Sequence, residues 1–104
     1  MIEEFGGDLF QWLRGFYFVA RTGSVTRAAE AMRRNQPAIS HQIKCLEEAF
    51  GVPLFERTRG KMELTAEGKV LLSMVVPLFE LIEEMKGKIR NPNLPVEGIV
   101  RVAT

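Results

Sequence analysis

Between Leu9 and Ala20 the apolar residues Leu9, Leu13, Phe16 and Ala20 recur at helical spacing, with Trp12 and Val19 beside them and Asp8 ahead as an N-cap. The pattern predicts a first amphipathic helix. Thr22-Gly23-Ser24 interrupts it: Gly23 suits a left-handed C-terminal cap, and Ser24 or Thr26 can cap a short second helix through Ala28, Ala29 and Met32. Arg33-Arg34-Asn35 reads as a brief polar turn. Asn35 then offers a side-chain cap to a third helix, with Pro37 in the first turn, where its missing N–H costs nothing. This helix is expected to run to about Phe50 and to end at Gly51. On a helical wheel Ile39, Ile43, Leu46 and Phe50 form the core stripe, whereas Pro37, Ser40, His41, Lys44 and Glu48 point the other way.

The period then changes. Val52 to Arg57 and Met62 to Thr65 read as two short strands around Thr58-Arg59-Gly60-Lys61, a turn with glycine at its tight position. Thr65-Ala66-Glu67 opens a fourth and longest helix with a capping threonine and an acid in the first turn. Leu71, Met74, Leu78, Leu81 and Met85 follow 3-4 spacing, with Val75, Ile82 and Ile89 on the adjacent stripe, so the apolar face is broad. Pro77 removes the bond to the Ser73 carbonyl and is expected to kink the helix. Asn91-Pro92-Asn93-Leu94-Pro95 reads as a stiff linker and residues 98–104 as one alternating strand.

Composition narrows the class without naming a function. The 104 residues, 46% hydrophobic and 26% charged, suit one small globular domain with an appendage and exclude a disordered or disulfide-built chain. Cys45 is the single cysteine, so no internal disulfide can form, and the acidic, glycine-interrupted N-terminus has no signal-peptide character. A cytoplasmic location is the expectation. The most apolar stretch, Val70 to Ile82, contains Ser73, Pro77 and Glu80 and is shorter than the roughly 20 residues of a membrane span, so no membrane partner is expected. The net charge of +1 conceals a strong asymmetry. Residues 1–13 carry a net −3, residues 14–69 carry ten bases against six acids, and residues 70–104 carry four of each. Those middle bases cluster near the predicted turns and helix starts, where either a solvated surface or a polyanionic partner would account for them.

Helix, helix, short turn, helix and basic hairpin is the order of a winged helix-turn-helix, whose third helix enters the DNA major groove. Phe16-Tyr-Phe-Val-Ala20, Gly23-Ser24, Ala28-Ala29, Gln36-Pro37-Ala38-Ile39-Ser40, Gln42-Ile43, Leu46-Glu47, Gly51, Leu54-Phe55-Glu56-Arg57 and Leu64-Thr65-Ala66-Glu67-Gly68 closely resemble the DNA-binding segment of LysR-type transcriptional regulators. The resemblance covers residues 9 to about 90. It implies a mainly α chain. A winged helix-turn-helix of three helices and a two-stranded wing would occupy residues 1–65, and a linker helix for dimerisation residues 66–90. Residues 91–104 would be a hinge and the first strand of an effector-binding domain. It further implies that the chain is the N-terminal part of a longer regulator. No cofactor is expected in these residues, and a small-molecule co-inducer would bind the C-terminal domain.

Each expected DNA contact has a physical basis. Gln36 can pair bidentately with adenine, worth about 1–3 kcal/mol of discrimination; the alternative is a helix cap or a solvated amide. Pro37 can meet a thymine methyl or serve only to start the helix, and Ser40 can donate to a base or phosphate or be a structural hydroxyl. His41 stands where the family often has arginine. A neutral imidazole cannot reproduce the guanidinium fork on guanine, so either the base read there differs or binding strengthens as pH falls. His41 and Cys45 at i, i+4 are too few ligands for a metal site. Lys44 adds charge to the same face. Ser24, Thr26 and Arg27 at the start of the second helix suit a phosphate, and the two hydroxyls equally suit helix caps. Among the hairpin bases Arg57, Arg59 and Lys61, Arg59 is expected in a narrow A/T-rich minor groove and Arg57 on phosphate. Arg33 and Arg34 stay open between DNA contact and solvated surface, Arg34 falling where the family usually has an aliphatic residue.

Leu71, Met74, Leu78, Leu81 and Met85 are expected to pair two copies into a homodimer, the alternative being packing onto the chain's own first helix near the N-terminal end. Tetramers at full length follow from the resemblance alone. Catalysis finds no support: there is no second histidine, no nucleophile-base set, no phosphate-cradling glycine loop and no CxxC pair. The rival to a dimeric reader of roughly palindromic double-stranded DNA is a winged-helix module that binds proteins through its apolar fourth helix.

Overall fold

The structure, a computed structural model, describes residues 8–91. Helices α1 (Leu9–Thr22), α2 (Val25–Met32) and α3 (Gln36–Phe50) precede strands β1 (Phe55–Thr58) and β2 (Lys61–Leu64), and α4 (Ala66–Arg90) follows. The mainly α order of three helices, a two-stranded antiparallel sheet and a long helix is the one the periodicity predicts.

The helix ends are written in side-chain chemistry. Gly23 takes the left-handed conformation at φ 70° and closes α1 through its N–H on the Val19 carbonyl at 2.8 Å. Ser24 Oγ accepts the Arg27 N–H at 3.1 Å and Asn35 Oδ1 accepts the Ala38 N–H at 2.8 Å. Thr65 Oγ1 accepts the Gly68 N–H at 3.0 Å and donates to the Pro53 carbonyl at 2.8 Å, so it caps α4 and ties it to the segment before the wing. Asp8 corrects one expectation. It occupies the cap position of α1, but its backbone is not extended and its carboxylate accepts no helix N–H.

The turn between α2 and α3 also differs from a plain polar turn. Arg33 adopts φ 56° and the Arg34 N–H reaches the Ala29 carbonyl at 2.9 Å while the Arg33 N–H reaches Glu30 at 3.2 Å. This double closure is a Schellman motif, built with arginine where glycine is the usual residue.

Phe16, Val19, Ala28, Ile39, Leu46, Leu54 and Val75 form the centre of the core, all of them 2% exposed or less. Phe50 does not join it as the wheel predicted. It is 44% exposed, because the chain reverses at Gly51 (φ 74°) and Leu54 and Phe55 fill the core instead, Phe55 against the Phe16 ring at 5.3 Å. The wing is shorter than expected, pairing Phe55 with Leu64 and Thr58 with Lys61 around Arg59-Gly60. With φ 53° and 79° at those residues the hairpin closes through the two-residue turn whose twist matches paired strands. A Cβ on Gly68 would run into the Leu54 carbonyl, so the start of α4 needs glycine to lie against the base of the wing.

Helix α4 runs through Pro77 to Arg90, so the proline does not end it. The Ser73 carbonyl that loses its donor lies on the exposed side, where water can replace it. The N-terminal half of α4 packs on α1: Val75 is buried, and the Phe79 ring meets Tyr17 at 5.4 Å and Phe10 at 5.6 Å, edge to face. Leu71 is half-buried against the core, as the packing alternative expected for that end. Met74, Leu78, Leu81, Met85 and Ile89 remain exposed, Met74 at 65% and Ile89 at 79%. No helix among the described residues is long and apolar enough to cross a membrane. The expected linker beyond Asn91 and the strand over 98–104 lie outside the described residues.

Candidate nucleic-acid interface

Asn35 fixes the start of α3, and with it which residues of that helix face outward. Because Asn35 supplies the cap, Gln36 is not needed for it, and the cap alternative for Gln36 is removed. Gln36, Pro37, Ser40, His41 and Lys44 are all exposed on one side of the helix, while Ile39, Gln42, Ile43 and Leu46 are buried on the other. Pro37 is both in the first turn and exposed, so its starting role and its outward face coexist. This surface combines an amide, a hydroxyl, an imidazole and an ammonium, a donor and acceptor set suited to base edges and phosphates.

His41 Nε2 lies 3.3 Å from Cys45 Sγ, one turn along the same face. That contact engages one ring nitrogen, so Cys45 is a neighbour of the reading surface and not wholly apart from it. Among the described residues no group of three or more histidine, cysteine or acidic side chains could hold a metal ion.

The other expected contacts lie on α2, on the wing and in the turn between α2 and α3. Thr26 and Arg27 are exposed at the start of α2; the Ser24 oxygen is engaged as the cap, which leaves its own O–H free to donate. Arg57, Arg59 and Lys61 are exposed on the wing, with Arg59 at the turn itself. Arg33 and Arg34 are exposed in the turn between α2 and α3.

Three contributors were not legible in the pattern of residue types. Gln42 is only 7% exposed, its Oε1 has no hydrogen-bond partner, and it presses on Gly15, where a Cβ would collide with it. Its position next to Leu46, at the edge of the apolar stripe on the wheel, is the signal that could have placed it inward. Glu47 Oε2 accepts the N–H groups of Leu54 and Phe55, which ties α3 to the wing. Arg21 Nη1 donates to the Tyr17 hydroxyl at 2.8 Å and its guanidinium lies 5.6 Å from the centre of that ring.

Residues 10–69 match the family model of the lysR bacterial regulatory helix-turn-helix proteins. The chain belongs to the LysR family. Among curated relatives of this LysR-family chain, the HTH-type transcriptional activator AllS of Salmonella typhimurium is 41% identical over 90 residues, covering 86% of the chain and 29% of that protein. The HTH-type transcriptional activator CmpR of Synechocystis is 36% identical over 89 residues, again 86% of the chain and 29% of the relative. The LysR-family chain thus spans well under a third of the length of both. Among solved structures, the complex of CbnR_DBD with DNA superimposes with a TM-score of 0.74 at 33% identity over 82% of this chain and 98% of that one. The complex of BenM_DBD with benA site 1 DNA gives 0.73 at 31% identity over 77% and 90%. These relatives carry the names of transcriptional regulators, not of enzymes.

Proposed function

We propose that this LysR-family chain is a sequence-specific DNA-reading unit of a cytoplasmic transcriptional regulator, with residues 1–65 as the winged helix-turn-helix and α4 as the dimerising arm. The observation that carries the reading is the exposed face of Gln36, Pro37, Ser40, His41 and Lys44 on a helix whose opposite side is core, together with Arg57, Arg59 and Lys61 exposed on the wing that follows. Gln36 pairs with adenine, Ser40 and His41 contact neighbouring base edges, and Pro37 lies against a thymine methyl. Ser24, Thr26, Arg27, Lys44, Arg57 and Lys61 hold phosphates, and Arg59 enters the minor groove.

Two copies pair through Met74, Leu78, Leu81 and Met85, with Leu71 at the inner end, and the pair reads two half-sites about 34–36 Å apart or a multiple of that. Support for pairing comes from the exposed apolar stripe, which monomers rarely present to water. Residues 91–104 lead toward a further domain that takes the co-inducer, in keeping with a relative about three times as long.

The experiment is a titration of an A/T-rich palindromic duplex at several salt concentrations. Each phosphate neutralised should add about 0.9 to the fall of log K per decade of salt. Affinity for a partner that does not change with salt would instead favour a protein-binding module using α4.

A further inference from the structure

The end of α1, the start of α2 and strand β2 enclose a cleft of about 510 Å3. Arg21, Ser24, Arg27, Lys61 and Glu63 line it, so basic side chains from each of those elements face one opening and exceed the acid among them. Its walls are locked together. The Met62 N–H donates to the Gly23 carbonyl at 3.1 Å, joining the wing to the turn between α1 and α2. Thr22 Oγ1 lies 2.8 Å from the Phe18 carbonyl and 2.9 Å from the Ser24 carbonyl, so its single O–H is held between the two on the other side. Arg21 is itself oriented by the Tyr17 hydroxyl and ring, an arrangement that leaves most of its donors outward. A cleft fixed in this way loses little conformational entropy when a ligand enters.

We propose that this cleft binds a backbone phosphodiester of the duplex and that Arg21 is its third cation, acting with Arg27 and Lys61. The inference rests on the reading of the chain as a DNA-binding unit and assigns a role to Arg21, a residue outside the contacts expected from the sequence. A phosphodiester fits the chemistry: it is compact and anionic and offers unbridged oxygens to guanidinium and ammonium groups. It also fits the placement, since the cleft is lined from α2 and the wing, the two elements that carry the proposed phosphate contacts Arg27 and Lys61. Arg21 contributes position and affinity here, and no base reading.

The test is the salt dependence of duplex binding by the 104-residue chain and its Arg21→Gln, Arg21→Lys and Tyr17→Phe variants. Arg21→Gln should lower affinity and reduce the slope of log K against log salt by about 0.9, with the preference between two duplexes unchanged. Arg21→Lys should restore the slope. Tyr17→Phe keeps the charge and loosens its tether, so it should weaken binding while leaving the slope alone. Thermal melting checks that each variant is folded. An unchanged slope and affinity for folded Arg21→Gln, with the parent chain still binding in a salt-dependent way, overturns the inference and leaves the DNA-binding reading intact. A slope that drops only for an acidic peptide, with no duplex bound by the parent, overturns both.

Discussion

The Glu47 carboxylate on α3 accepts the backbone N–H of Leu54 at 2.8 Å. The same oxygen accepts the Phe55 N–H at 3.3 Å, so a side chain from the inner half of the reading helix holds the first residues of the wing. Helix and wing are thus tied together through one carboxylate, and in the proposed complex this tie would set the spacing between major-groove and minor-groove contacts before binding.

Removing that carboxylate should be felt in stability. Glu47→Ala leaves two backbone donors without their acceptor and should destabilise the chain by about 2 kcal/mol, read by urea denaturation. Glu47→Gln keeps one acceptor oxygen and should lose less. A neutral result for Glu47→Ala would mean that packing and the Met62–Gly23 hydrogen bond suffice to hold the wing.

The two arginines with positive φ separate stability from function. Arg33→Gly relieves the left-handed backbone at φ 56°; with the flexibility cost of glycine set against it, the gain should be about 0.5–1 kcal/mol. Arg59→Gly relieves φ 53° in the same way but removes the wing-tip guanidinium. The second variant should melt higher and bind more weakly, most of all on duplexes flanked by A-tracts. Equal losses on all flanks would count against minor-groove insertion.

The proposed pairing rests on the outer part of α4. Introducing charge into the stripe with the double variant Leu81→Glu, Met85→Glu should leave the helical content intact and give a monomer in light scattering where the parent chain gives a dimer. A parent chain that is monomeric at micromolar concentration would remove the dimer from the account.

Much of this architecture was legible because short-range chemistry dictates it. Ser24, Asn35 and Thr65 cap the helices they precede, and Gly23 and Gly51 end the ones they follow, since each acts on residues within one turn. The outward face of α3 was legible for the same reason: helical spacing alone separates Ser40 and His41 from Ile39 and Ile43. What escaped depends on contacts made through space. Phe50 lies on the apolar stripe, yet the reversal at Gly51 brings Leu54 and Phe55 into the core in its place. Arg33 in a Schellman closure contradicts the residue preference that would have signalled it. The cleft at Arg21 lies where Met62 bonds to Gly23, a pairing between segments far apart in sequence.

The most direct test of the central claim is the discrimination of Gln36→Ala between two palindromic duplexes that differ only at the adenine this side chain is proposed to read. The account predicts that the parent chain prefers its adenine site by about 1–3 kcal/mol, roughly fivefold to more than a hundredfold in affinity, and that the variant loses this preference while keeping its salt dependence. Undiminished discrimination by a folded Gln36→Ala would contradict it.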